Sequence, residues 1–123
     1  MVTRPLVSVV DDDESVRESL PDLLKEFGFD VQTFASAEEF LASEFLDRTQ
    51  CLLLDITMPG MSGPELHQEL ARQRRSIPVV FITANADDSV RPQLLEAGAV
   101  GCLFKPFTDS ALLDAVTTAL RAA

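Results

Sequence analysis

Four of the five short apolar runs in this chain lead straight into a residue that can do chemistry. Leu6–Val10 runs into Asp11 and Asp12, Cys51–Leu54 into Asp55, Val79–Ile82 into Thr83, and Gly101–Phe104 into Lys105. Only Val31–Phe34 ends without such a group, passing into Ala35. Carboxylates gathered at one place repel and raise each other's pKa unless a cation joins them. Oxygen ligands select hard cations, and Mg²⁺ (or Mn²⁺) takes one or two carboxylates, keeps several waters and leaves room for a phosphoryl oxygen. Lys105, one of two lysines, adds a fixed positive charge, and Thr83 adds a hydroxyl that can donate to an oxyanion. Carboxylates, a hard cation, a lysine and a hydroxyl are the parts phosphoryl transfer needs, because its catalysis is mostly positioning and charge neutralisation.

These residues act together only if the fold brings the run ends to one rim. Leu6–Val10, Cys51–Leu54 and Val79–Ile82 are continuously apolar, as strands of a parallel sheet buried on both faces must be. Val31–Phe34 alternates and suits an edge. Between the runs lie helical patterns. Val16, Leu20, Leu23, Leu24 and Phe27 share one face, and Gly28 stands where a C′ glycine ends a helix. A second helix is predicted over Ala37–Phe45, with Ser36 as N-cap and Glu39 completing a capping box. A third is expected over Glu65–Arg75 after Pro64, and a fourth starts near Ser89 or Val90 and closes on Gly98. The fifth runs over Ala111–Ala122, with Leu112, Leu113, Val116 and Leu120 in one stripe. Pro21 inside the first helix predicts a kink. Five βα units with short connections make an open, doubly wound α/β sheet, whose sites lie outside the carboxyl ends of its strands.

The bulk properties agree. A chain of 123 residues, 46% hydrophobic, is one domain's worth and buries a core without staples. Its 20 acids against 10 bases give a net charge of −10, which argues against direct nucleic acid binding. Residues 1–47 hold 12 of the acids and 3 of the bases, so most of the excess lies there. Cys51 and Cys102 sit in apolar runs without metal-ligand spacing, which predicts two buried thiols in a reducing compartment. No stretch approaches the apolar length of a membrane span, and the expectation is a cytoplasmic protein without membrane association.

With these residues assembled, the sequence resembles the receiver domain of bacterial two-component response regulators over Val7 to Leu120. The matching segments are VVDDDE at 9–14, LLLDITMPGMSG at 52–63, VVFITA at 79–84 and LFKPF at 103–107, and FixJ-type receivers are most similar. The resemblance implies one flavodoxin-like (βα)5 domain over 1–123, with strand order 2-1-3-4-5 and helices on both faces. It implies that Asp55 takes a phosphoryl group from a phosphohistidine of a sensor histidine kinase. Asp12, Asp55 and the Thr57 backbone carbonyl would hold Mg²⁺, with Asp11 acting through a metal-bound water. Lys105 would pair with Asp55 at rest and with a phosphoryl oxygen afterwards. Thr83 and the Ala84 N–H would bind the phosphoryl group and draw in the loop after the fourth strand, while Thr57 and Asn85 would tune dephosphorylation. A cis Lys105–Pro106 peptide is expected. The implied protein is a phosphoacceptor that catalyses only its own phosphorylation and dephosphorylation. It would switch at the α4-β5-α5 face to control an output domain or partner protein, and the resemblance also admits a phosphorylation-dependent homodimer.

One position departs from the pattern. The family commonly carries Tyr or Phe three residues before the lysine, where this chain has Cys102. Phe104 is expected on the opposite strand face, so the usual coupling between threonine and ring is in doubt. His67, the only histidine, is expected on a solvated helix surface, and Asp13 as an N-cap. Two other readings were weighed. A haloacid-dehalogenase type of enzyme would use Asp11 as nucleophile and Asp13 as acid/base, but it leaves the DxxMPGMSG segment unexplained. An inert receiver-like module would lack one of the five key groups, and all are present.

Overall fold

A computed structural model describes residues 4–84 and 91–122. Five parallel strands, β1 (Leu6–Val10), β2 (Asp30–Phe34), β3 (Cys51–Asp55), β4 (Val79–Thr83) and β5 (Gly101–Phe104), form one sheet in the order β2-β1-β3-β4-β5. The helices are α1 (Glu14–Glu26), α2 (Ala37–Leu41), α3 (Gly63–Arg72), α4 (Arg91–Glu96) and α5 (Asp109–Ala122). This is the flavodoxin-like arrangement. The pleat sends alternate residues of the central strands to opposite faces, as strand geometry requires. Leu52, Leu54, Val79 and Phe81 face the helices α2, α3 and α4, joining Phe40, Leu66, Leu70 and Leu94 in one core cluster. Leu53, Val80 and Ile82 face α1 and α5, joining Leu20, Leu24, Leu112 and Val116.

Helix ends follow from local chemistry. Asp13 caps α1, and its far end closes at Gly28 (φ +96), with Gly28 N donating to Lys25 O and Phe29 N to Leu24 O. The αL glycine satisfies the last carbonyls, as expected of a C′ residue. The helix continues through Pro21, with Leu20 and Leu24 on either side of it buried. α2 is shorter than predicted and stops at Leu41. Ser43 Oγ donates to the Phe40 carbonyl (2.8 Å) and accepts from Phe45 N (3.3 Å), so a hydroxyl competes with the helical ladder. α3 also ends early. Arg74 adopts φ 60 and takes the C′ place that a glycine usually holds, with Arg75 N donating to Leu70 O. The expected start of α4 near Ser89 or Val90 lies outside the described residues.

Candidate functional site

β1 delivers Asp11, whose backbone N–H still pairs with Phe34 O of β2, so its side chain is fixed from the root. That side chain is 0% exposed. Its Oδ1 accepts from Asp13 N (2.9 Å), and its Oδ2 stands 3.1 Å from Lys105 Nζ as an ion pair, with no hydrogen bond among the described residues. Arg17, one turn into α1, donates to the Asp11 carbonyl at 2.8 Å and braces the loop from behind. Sequence reading passed over this arginine, although its place one turn beyond the acidic run is the available signal. Asp12 is exposed. Asp13 is the predicted cap: its carboxylate accepts from Ser15 Oγ (2.7 Å) and Ser15 N (3.0 Å), and these bonds lower its pKa. A residue so committed does not serve as acid/base, and Asp11 is too enclosed to act as an exposed nucleophile. Both observations weigh against the dehalogenase reading.

Asp55 ends β3 at the centre of the rim and is 7% exposed. Its Oδ1 accepts from Thr57 N at 3.4 Å. Burial pushes its carboxyl up to about 7, the Asp11 charge and contacts with Asp11 and Asp12 push the same way, and Lys105 pulls it back. Oxygens of Asp11, Asp12 and Asp55 all lie within 4.8 Å of one another. An all-oxygen set around one enclosed carboxylate fits a hard divalent cation, which would relieve the crowding that raises Asp55.

Lys105 follows β5, its N–H donating to Thr83 O at 2.8 Å, and the Lys105–Pro106 peptide is cis as expected. The expected resting partner is corrected. The ammonium pairs with Asp11, because that fully buried Oδ2 is the oxygen that lacks a hydrogen bond, whereas Asp55 is partly answered by Thr57 N. Thr83 ends β4 at 9% exposure, Ala84 follows it in the open, and Thr57 is exposed beside Asp55. Asn85 lies outside the described residues. Met58 is buried in the α2–α3–α4 core, and Met61 packs against it.

Three further expectations are corrected. Cys102 is half-buried rather than buried, while Cys51 is fully enclosed and burial pushes its thiol up to about 12. Cys102 packs on the α2–α3–α4 side and Leu103 on the other, so alternation puts Phe104 on the same face as Cys102, not the opposite one. His67 is not a solvated surface residue. Its ring packs edge-on against Phe81, with centroids 5.6 Å apart, and that burial lowers its pKa. One contact had no sequence signal at all: Glu38, in the first turn of α2, accepts from Met61 N at 3.3 Å.

A doubly wound sheet with three carboxylates, a lysine and a threonine at its carboxyl rim has the parts of a signalling receiver domain. The chain belongs to the response regulator receiver domain family, whose model matches residues 7–117, and it is a two-component signal transduction receiver. It is 45% identical to Nodulation protein W of Bradyrhizobium diazoefficiens over 117 residues, covering 95% of this chain and 52% of that protein. It is 40% identical to the transcriptional regulatory protein FixJ of Rhizobium meliloti over 113 residues, covering 92% of this chain and 55% of that protein. Among solved structures, response regulator StyR matches with TM-score 0.89 and 47% identity over 98% of this chain and 61% of its own. FixJ-N matches with TM-score 0.87 and 36% identity over 99% of this chain and 98% of its own. The chain spans about half the length of the curated relatives it matches. Among the described residues no helix is long and apolar enough to cross a membrane.

Proposed function

We propose that Asp55 is the phosphoacceptor of this receiver, and that residues 1–123 act as one receiver unit that catalyses its own phosphorylation and dephosphorylation. The observation that carries this reading is the enclosed Asp55 carboxyl among oxygens of Asp11 and Asp12, within 4.8 Å, beside an ammonium that already sits 3.1 Å from Asp11. Asp12, Asp55 and the Thr57 carbonyl would hold Mg²⁺, with Asp11 reached through a water. When bound, the ion supplies the charge neutralisation that lets an anionic nucleophile meet an anionic phosphoryl group. Asp55 presents a carboxylate oxygen to the phosphorus of a phosphohistidine on a sensor histidine kinase. The oxygen–phosphorus bond forms, the phosphorus–nitrogen bond breaks, and the imidazole leaves with the electron pair. Lys105 moves its charge from Asp11 toward a phosphoryl oxygen, Thr83 donates its hydroxyl to another, and the Ala84 N–H adds a third donor. Thr57 and Asn85 occupy the two sequence positions that tune dephosphorylation in the family the chain resembles.

The output is read at α4, β5 and α5, where Cys102 replaces the usual ring and makes the movement smaller. Three relatives are named as transcriptional regulatory proteins, and a receiver of this kind controls transcription through a further segment or a partner protein in the cytoplasm, with a phosphorylation-dependent homodimer as one form of that output. Intact-mass spectrometry after incubation with acetyl phosphate and Mg²⁺ tests the core of the reading. A single phosphoryl adduct that needs Mg²⁺ and disappears in Asp55→Asn is expected. An adduct that survives in Asp55→Asn and is lost in Asp11→Asn would overturn it in favour of the dehalogenase chemistry.

A further inference from the structure

β2 is the strand that brings no chemical group to the rim, yet the helix that follows it does. We propose that Glu38 is a positioning residue for the acceptor site: its carboxylate holds the tip of the loop after Asp55, and through that loop the Thr57 carbonyl. The inference rests on the reading of Asp55 and Thr57 given above.

The loop from Ile56 to Gly63 is closed on itself, with Gly63 N donating to Ile56 O at 3.0 Å. Gly63 sits so tightly that a Cβ there would stand 2.2 Å from the Asp55 carbonyl oxygen. Both ends of the loop are therefore tied to the acceptor's own backbone, and Met58 anchors its middle in the core. At the tip, Pro59 and Gly60 are exposed while the Met61 side chain packs against the core, and the backbone there is tethered by Glu38. Oε2 of Glu38 accepts from Met61 N at 3.3 Å and lies against Gly60, where a Cβ would stand only 2.7 Å from the same oxygen. Gly60 has φ +75, so glycine serves the turn and also leaves room for the carboxylate. Glu38 is exposed, and among the described residues its carboxylate makes no ion pair and accepts this one hydrogen bond. The side chain of its neighbour Glu39 is engaged elsewhere, Oε2 accepting from Ser36 Oγ at 3.4 Å in the helix cap. Two adjacent glutamates on one short helix thus have different tasks. Between the loop's fixed ends, Thr57 lies two residues from Asp55, and among the described residues its N–H makes one long hydrogen bond, 3.4 Å to Asp55 Oδ1. A slack tip would let that peptide turn and carry its carbonyl away from the carboxylates.

The test separates position from charge. Mg²⁺ affinity is measured by titration calorimetry on wild type, Glu38→Ala, Glu38→Gln, Glu39→Gln and Asp55→Asn, alongside hydrogen exchange of the Met61 amide. Groups that support a metal ligand from outside typically change affinity by 10-fold or more, and a tether one loop away is expected to weaken Mg²⁺ by roughly threefold to tenfold in Glu38→Ala. Glu38→Gln keeps an acceptor oxygen and is expected to restore most of that loss, Glu39→Gln to leave affinity at the wild-type value, and the Met61 amide to exchange faster in Glu38→Ala. Equal losses in Glu38→Ala, Glu38→Gln and Glu39→Gln would reduce the effect to net charge and overturn the proposal, as would an unchanged affinity in Glu38→Ala. A wild type whose Mg²⁺ binding is indifferent to Asp55→Asn would instead overturn the acceptor reading on which the proposal rests.

Discussion

Asp55→Asn, made in the protein without divalent cation, stabilises the fold, and does so only where the native carboxyl is ionised. The carboxyl rises from an ordinary 3.8 to about 7 because it is enclosed and faces Asp11. An acid whose folded-state pKa is raised binds its proton more tightly folded than unfolded. The stability it contributes is whole below 3.8 and is lost as pH climbs through about 7, so the ionised form is the costly one. A difference of that size corresponds to about 4 kcal/mol, and relaxation of the surroundings around the ionised group cuts it to roughly 2. For a chain of this length, about 3–5 °C accompany each kcal/mol, so near pH 8 the variant is expected to melt about 6–10 °C above wild type. Near pH 4.5 most of the gap closes, since the native carboxyl is then largely protonated in the fold. Far-UV circular dichroism melts in a chelating buffer at both pH values read the difference directly. An Asp55→Asn protein no more stable than wild type near pH 8, or equally stabilised at both pH values, would refute the reasoning.

Lys105→Met leaves the fully buried Asp11 carboxylate without its ammonium; a loss of about 2–3 kcal/mol in urea melts is expected, at the low end for breaking an enclosed pair because the lysine side chain is 21% exposed. Protons and Mg²⁺ compete for Asp55, so calorimetric Mg²⁺ affinity is expected to fall as pH drops below about 7, and to lose that pH dependence in Asp55→Asn.

The strands and their terminal residues were legible because a parallel sheet buried on both faces leaves continuous apolar runs at its centre, and four of the five runs stop where the chemistry begins. The ends of α1 and α4 were legible for a different reason, in that Gly28 and Gly98 take positive φ at the C′ place. What escaped was decided by partners distant in sequence or by a local rival. Ser43 ends α2 by bonding to Phe40, a competition that hydrophobic periodicity does not register. Arg74 ends α3 in a conformation that its residue type disfavours. The partner of Lys105 depends on which of two neighbouring carboxylates is more enclosed, and Glu38 reaches a loop 23 residues away. His67 sits beside Leu66 at the edge of the helix's apolar stripe, and only the position of Phe81 turns that edge inward. The face of Phe104 was legible and misread, since residues two apart on a strand share a side.

The two thiols end in unlike surroundings, and this makes the protein chemically addressable as it stands. Cys51 is sealed in the sheet with its thiol pushed up to about 12, so a maleimide reagent finds little thiolate there. Cys102, half-buried on the edge strand and in register with Phe81, is the more exposed of the two. With no tryptophan or tyrosine in the chain, intrinsic near-ultraviolet emission is weak and a single attached dye reports against a dark background. The residue that replaces the usual ring thereby gives β5, the strand proposed above to take part in output, a built-in attachment point.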